Sequence, residues 1–219
     1  AVKTPAFATG LSLTAAIAVT SPGGEVIVGD SAGYGPTTIT KPLSIIAPPG
    51  VYAGISVPSG TGIVVNPGTG KVTLRGLTIN GLGGATGIDF QSGEALFVEG
   101  TVISGFTGAA RNAVLPAPAE LFVRDSIFRD NYQGASLATG AGVVIPLKAT
   151  IERSQFESNV NGLALSGSSA TVVIRRSLFT GGLRGIIVAP EIGGASSAVD
   201  VYNSTVSKNS MAGIQVGGN

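Results

Sequence analysis

The sequence predicts an all-β protein built as a parallel solenoid, and three observations predict it. Among 219 residues Gly occurs 34 times and Pro 12 times, while aromatic residues make up only 5%. Mean hydropathy is nonetheless +0.43. This is the mix of many short apolar strands punctuated by tight turns. Second, six segments align on one template without gaps: VTLRGLTINGL (72–82), LFVEGTVISGF (96–106), LFVRDSIFRDN (121–131), ATIERSQFESN (149–159), VVIRRSLFTGG (172–182) and VDVYNSTVSKN (199–209). Their starts are 24, 25, 28, 23 and 27 residues apart, a period that marks a repeat architecture. Third, the aligned columns are chemically uniform. The first (Val72, Leu96, Leu121, Ala149, Val172, Val199), the third (Leu74, Val98, Val123, Ile151, Ile174, Val201) and the eighth (Ile79, Ile103, Phe128, Phe156, Phe179, Val206) are all apolar. Apolar residues two apart make one buried strand face.

In chain order, residues 12–20 (SLTAAIAVT) set Leu13, Ala16 and Ile17 at helical spacing and stop at Ser21-Pro22-Gly23-Gly24. A short amphipathic helix covering the first coil is expected there, because an uncovered solenoid end exposes unpaired backbone. Residues 1–24 are read as an N-terminal segment with this capping helix, and 25–219 as one solenoid of about seven to eight coils. Val26–Ile27–Val28, Leu43–Ser44–Ile45 and Ile63–Val64–Val65 read as strands separated by proline- and glycine-containing turns. In the template rows, three successive Phe in the eighth column are expected to stack inside the coil. The sixth column (Leu77, Thr101, Ser126, Ser154, Ser177, Ser204) places small hydroxyls at a bend. Asn131, Asn159 and Asn209 fall three residues after the eighth column, with Gly134, Gly162 and Gly213 following. Asn tolerates turn conformations, and its amide can bond the neighbouring coil, so a ladder is expected, interrupted where the Asn is replaced.

The fourth column runs Arg75, Glu99, Arg124, Glu152, Arg175, Tyr202. Strands stacked about 4.8 Å apart put each charge between two of opposite sign, which avoids like-charge contacts and fixes the register. Arg129 against Glu157 repeats the logic. At the far end, GIQVGGN shows no evident cap. The expectation is that the fold continues, or that a partner or a second copy meets this coil end-to-end or side-by-side.

Composition also excludes chemistry. There is no Cys and no His, which removes thiolate and imidazole metal sites and every Ser–His or Cys–His mechanism. A formal net charge of +1 is no footprint for nucleic acid or an anionic membrane, and no apolar run reaches membrane-spanning length. AVKTPAF at the start is not a basic leader before an apolar signal region.

The S-x-F-x-x-N-x-x-G run at 154–162, echoed at 126–134 and more loosely at 204–213, resembles the right-handed parallel β-helix of the pectate-lyase-like superfamily. GGEVIVGDSAGYGPTTITKPLSIIAPPGV (23–51) is similar to the first coils of bacterial right-handed β-helix repeat proteins, most of them without an assigned function. The likeness covers roughly 12–219. It implies right-handedness and a secreted or cell-surface location, and it specifies fold far better than chemistry. Polygalacturonase-like members carry Asp-Asp and Gly-His-Gly motifs that this chain lacks. Pectate-lyase-like members hold Ca²⁺ on several carboxylates beside an Arg or Lys base, whereas the aligned acids here alternate with Arg. No metal site is assigned, and Ca²⁺ would be needed only in a lyase.

The acid–base cluster best suited to sugar chemistry is Asp125, Asp130, Glu152 and Glu157 with Arg153, on adjacent coils. Asp125 and Arg153 share a column. Two carboxylates there would suit glycoside hydrolysis, against the plainer reading of exposed ion-pair rows. Tyr34, Tyr52, Tyr132 and Tyr202 read as exposed, with Tyr132 and Tyr202 as candidates for sugar stacking. Gly81-Leu82-Gly83-Gly84 reads as turns. Three functions follow. The first is a non-catalytic solenoid, structural or binding a polysaccharide or another protein. The second is a carbohydrate-binding or carbohydrate-cleaving surface. The third is an engineered or designed scaffold of this family, prompted by the lack of His and Cys.

Overall fold

The computed structural model describes residues 6–8, 12–106, 113–114, 119–138, 146–166, 169–189 and 197–217. The remaining parts of the expected N-terminal segment and of the C-terminal GIQVGGN lie outside the described residues.

Among the described residues every strand pairing is parallel. The first sheet has nine strands in the order Ala6–Ala8, Gly24–Val28, Leu43–Ile46, Lys71–Arg75, Ala95–Glu99, Glu120–Arg124, Pro146–Glu152, Ser169–Arg175 and Ala198–Tyr202. The second has eight: Ala32–Tyr34, Ala53–Ser56, Leu77–Asn80, Val102–Ser104, Ile127–Arg129, Gln155–Glu157, Leu178–Thr180 and Thr205–Ser207. The third side is split into two sheets. Thr37–Ile39, Thr61–Val65 and Thr86–Phe90 form one, and Ala113–Val114, Gln133–Ala138, Asn161–Ser166, Arg184–Val188 and Ala212–Val216 the other. The chain therefore winds first side, second side, third side, and climbs one strand spacing per turn. Six turns follow the template, and the expectation of about seven to eight coils counted the looser turns upstream of it as well. Two turns upstream, one of 19 residues (Gly24 to its register partner Leu43) and one of 29 (Leu43 to Val72), bring the second sheet to its eight strands among the described residues. Thr61–Val65 belongs to the third side, so of the three upstream strands read from the sequence only the first two begin a turn.

The template columns are the strand register. Leu96 pairs with Val72 and Leu121, Ala149 with Leu121 and Val172, and Ile103 with Ile79 and Phe128. Val72, Leu74, Ile79, Ile151, Phe156, Ile174 and Phe179 are buried in the interior. The three rings stack as the column requires: Phe128 to Phe156 at 4.7 Å and Phe156 to Phe179 at 4.5 Å between centroids, with planes within 5°. A second stack, Phe97 on Phe122 at 4.7 Å, lies on the outer side of the first sheet.

The corners explain the polar columns. The fifth template position has positive φ in every row: Gly76, Gly100, Asp125, Arg153, Arg176 and Asn203 lie between 48° and 73°. This left-handed residue turns the chain from the first sheet to the second. The next residue's hydroxyl then serves two orphaned backbone groups. Ser126, Ser154, Ser177 and Ser204 each donate to the carbonyl two residues back at 2.8–2.9 Å. Each also accepts the N–H of the equivalent residue one coil earlier, at 3.0–3.2 Å. The asparagine column works the same way at the second corner. Asn131 Oδ1 accepts from Phe106 N–H (3.1 Å), Asn159 Oδ1 from Asn131 N–H (3.0 Å), and Asn209 Oδ1 from Gly182 N–H (3.2 Å). Their amides donate to the carbonyls of Ile103, Phe128 and Phe179. The ladder breaks at Gly182, which has no side chain to serve Asn159. Just beyond, Gly134, Gly162 and Gly185 are required by close approach. A Cβ on each would lie 2.5–2.6 Å from the carbonyl oxygen of the glycine one coil on.

The helix Leu13–Val19 caps the first turn. Ser12 Oγ accepts from the Ala15 N–H at 3.1 Å, as an N-cap should. Leu13, Ala16 and Ile17 are buried, and Lys41 Nζ donates to the carbonyl of Ala18 near the helix end.

Candidate functional site

The acid–base candidates divide between two corners. Asp125 and Arg153 occupy the fifth template column, where the first sheet turns into the second. Asp130 ends the following strand, also with positive φ, at the opposite corner, and Glu157 lies on the second sheet beside it. Four residues, three of them the strand Ile127–Arg129, separate Asp125 from Asp130, and five steps at about 3.3 Å set their Cα atoms up to roughly 16 Å apart. That exceeds the roughly 5–9.5 Å used by paired glycosidase carboxylates. What looks contiguous in sequence is thus two groups on two edges.

At the first corner, side chains meet in pairs. Arg153 grips Asp125 in bidentate fashion, Nε to Oδ1 at 2.7 Å and an Nη to Oδ2 at 2.9 Å. Hydrogen bonding from Arg153 holds the Asp125 carboxyl below its ordinary range, and Asp125 in turn pushes the Arg153 guanidinium up. Glu152 is surrounded by three cations: a short contact to Arg176, Arg153 Nη1 at 3.0 Å, and Arg124 Nε at 3.6 Å. The hydrogen bond from Arg176 leads in lowering its pKa. Farther down, Arg75 pairs with Glu99 at 2.5 Å.

The charge row departs from strict alternation at its upper end. Glu152 and Arg175 are register partners, yet Glu152 turns to Arg176, whose left-handed corner backbone swings the guanidinium toward it. Arg175 instead lies over the ring of Tyr202, 5.7 Å from its centroid. Sequence reasoning missed Arg176. The signal was the adjacent Arg175-Arg176 pair with no acid at either position in the next row, Tyr202-Asn203.

At the second corner Asp130 donates its backbone N–H to Glu157 O at 3.1 Å, and Arg129 pairs with Glu157 in register. No side-chain ion pair joins these residues among the described residues. Of the tyrosines, Tyr52, Tyr132 and Tyr202 are exposed. Tyr34 is not. It is a buried residue whose hydroxyl donates to Asp30 Oδ1 at 2.6 Å, and burial with that hydrogen bond raises its pKa to about 12. Tyr34 pairs with Ile55 in the second sheet and so faces the core.

The donor set does not suit Ca²⁺. Among the described residues no group of three or more acidic side chains converges, whereas calcium takes six to eight oxygens, and Asp125 and Glu152 are already held by guanidiniums. A partly open cavity of about 110 Å³, walled by Phe90, Leu96, Val98, Ile103 and Phe106, carries no ionisable group among its described lining residues.

A family model described as the right handed beta helix region matches residues 61–219. No curated protein and no solved structure matches the chain.

Proposed function

Because the chain belongs to the right-handed β-helix family, whose fold fixes geometry without fixing chemistry, we propose that it is a non-catalytic solenoid. It works through its outer surface, as a structural or partner-binding module. The observation that carries this reading is the state of Glu152 and Arg153. A general acid for glycoside cleavage needs a carboxyl raised toward neutrality, and Glu152 among three guanidiniums is moved the other way. A lyase-type base needs a cation that readily gives up its proton, and Asp125 makes Arg153 hold its proton more firmly. Three of these contacts, Arg153 to Asp125, Arg176 to Glu152 and Arg124 to Glu152, join one coil to the next, which is the work expected of structural ion pairs.

The test is incubation with polygalacturonate and added Ca²⁺, monitoring unsaturated products. No turnover above background is expected. Turnover lost on Arg153→Ala would overturn the reading.

A carbohydrate-binding surface is a second reading, favoured by one observation. Tyr132, Val160 and Leu183 follow one another at the second corner, with Met211 beyond them, and Tyr132, Leu183 and Met211 are exposed. An apolar strip ending in an aromatic ring suits the faces of sugar rings. Retardation in native gels containing neutral polysaccharide, abolished by Tyr132→Ala, would support it. Equal mobility with and without the polysaccharide would reject it.

A further inference from the structure

We propose that the corner formed by Arg175, Arg176, Tyr202 and Asn203 is a binding site for an oxyanion group, a carboxylate, sulfate or phosphate carried by a ligand. The proposal rests on the non-catalytic binding reading above and gives that surface a ligand chemistry.

Four residues from two adjacent coils line a surface concavity of about 350 Å³. Two of them are guanidiniums and none is a carboxylate. In the rows below, every cation of the fourth and fifth columns has an acid: Arg75 has Glu99, Arg124 has Glu152, and Arg153 has Asp125. Arg176 has Glu152 as well. Arg175 alone among these makes no ion pair among the described residues. Its register neighbour Glu152 is turned to the other three cations, and its neighbour above is Tyr202. Four guanidiniums (Arg124, Arg153, Arg175 and Arg176) thus share two carboxylates (Asp125 and Glu152), so this edge carries an excess of positive charge, with Arg175 outside every ion pair among the described residues.

Arg175 is also positioned. With its Cζ 5.7 Å from the centroid of the Tyr202 ring, the guanidinium is within cation–π range of the ring face, an attraction that leaves its N–H groups available. A side chain fixed before binding loses less rotamer freedom when a ligand arrives. Arg176 is anchored from the opposite side by Glu152, so both forks are restrained at one rim. Asn203, at the left-handed corner position, adds an amide. Planar N–H forks facing one opening match the paired oxygens of a carboxylate, sulfate or phosphate.

The test is a titration of the 219-residue chain with sodium benzoate, sodium sulfate and inorganic phosphate. Ionic strength is held constant with NaCl, and amide and arginine side-chain resonances are followed by NMR. The expected result is saturable shifts confined to residues 175–176 and 202–203. Arg175→Gln should weaken binding at least tenfold with an unchanged thermal midpoint, and Arg175→Lys, which keeps the charge without the planar fork, should be intermediate. Saturation by benzoate alone identifies a carboxylate ligand, and saturation by sulfate or phosphate a tetrahedral one. Either supports the site. Linear shifts spread over many arginines, no shifts, or binding unchanged in Arg175→Gln would overturn it. Polygalacturonate turnover would sink the non-catalytic reading while leaving this titration to be judged on its own result.

Discussion

Replacing Asn159 by alanine should be among the most damaging single changes available to this chain, and its cost can be worked from three hydrogen bonds. Asn159 is only 1% exposed. Its Oδ1 accepts from the Asn131 backbone N–H at 3.0 Å and from Asn131 Nδ2 at 3.1 Å, and its Nδ2 donates to the Phe128 carbonyl at 2.8 Å. Asn131 Nδ2 keeps a second acceptor in Ile103 O, so the truncation strands chiefly one backbone N–H and one side of a carbonyl. Buried polar groups left unpaired cost about 1–3 kcal/mol each. Two of them, with the small cavity left behind, give a loss of about 3–5 kcal/mol. Asn209→Ala is the internal control. It removes two bonds of 3.2 Å, but at a part-buried site that water can reach, so about 1 kcal/mol is expected. Urea unfolding followed by far-UV circular dichroism, compared at equal m-values, measures both. A loss under about 1 kcal/mol for Asn159→Ala, or equal losses for the two variants, would refute the ladder as a stabilising device.

Three further predictions follow from the same geometry. Phe156→Ala removes the middle ring of the interior stack and should cost about 3–5 kcal/mol, whereas Phe122→Ala on the half-buried outer stack should cost markedly less; the same unfolding curves decide it. Gly162→Ala places a Cβ 2.5 Å from the Gly185 carbonyl oxygen and should lower the thermal midpoint sharply, while Gly33→Ala, with no atom within 4 Å of the added carbon, should leave it near the parent value. Asp125 and Glu152 have folded pKa values below their unfolded ones, so the stability they contribute is present above the ordinary carboxylate range and is lost as pH falls through their folded values. The melting temperature should drop below about pH 4, less steeply in Asp125→Asn; equal slopes would contradict the pairing.

Much of this fold was legible because a parallel solenoid writes its register into the sequence. The columns of Val72, Leu74 and Ile79 recur one coil apart, and each column is one stack of neighbours. The capping helix was legible through Ser12 and the spacing of Leu13, Ala16 and Ile17. The asparagine ladder was legible down to its break at Gly182. What the columns did not carry is direction at the corners. Asp125, Arg153 and Arg176 share a left-handed position that glycine fills at Gly76 and Gly100, but nothing in the letters says that an arginine there adopts it. Once it does, Glu152 meets Arg176 in place of Arg175, and the alternating row opens at its end. Asp125, Asp130, Glu152 and Glu157 fall on two adjacent coils, yet the strand Ile127–Arg129 carries the chain from the corner of Asp125 to the next one at Asp130. Tyr34, between two glycines, has the sequence surroundings of a turn. Its burial follows from pairing with Ile55, a contact across 21 residues in a looser turn outside the template.

The reading proposed above is that Asp125 and Glu152 are held in coil-to-coil ion pairs and are not tuned for catalysis. Carbon-detected NMR titration of the Asp and Glu side-chain carboxyl groups tests it most directly. Asp125 and Glu152 should titrate below the ordinary carboxylate range, and Asp125 should move back toward that range in Arg153→Gln. A carboxyl among Asp125, Asp130, Glu152 and Glu157 with its midpoint raised toward neutrality would contradict the claim and mark a general acid.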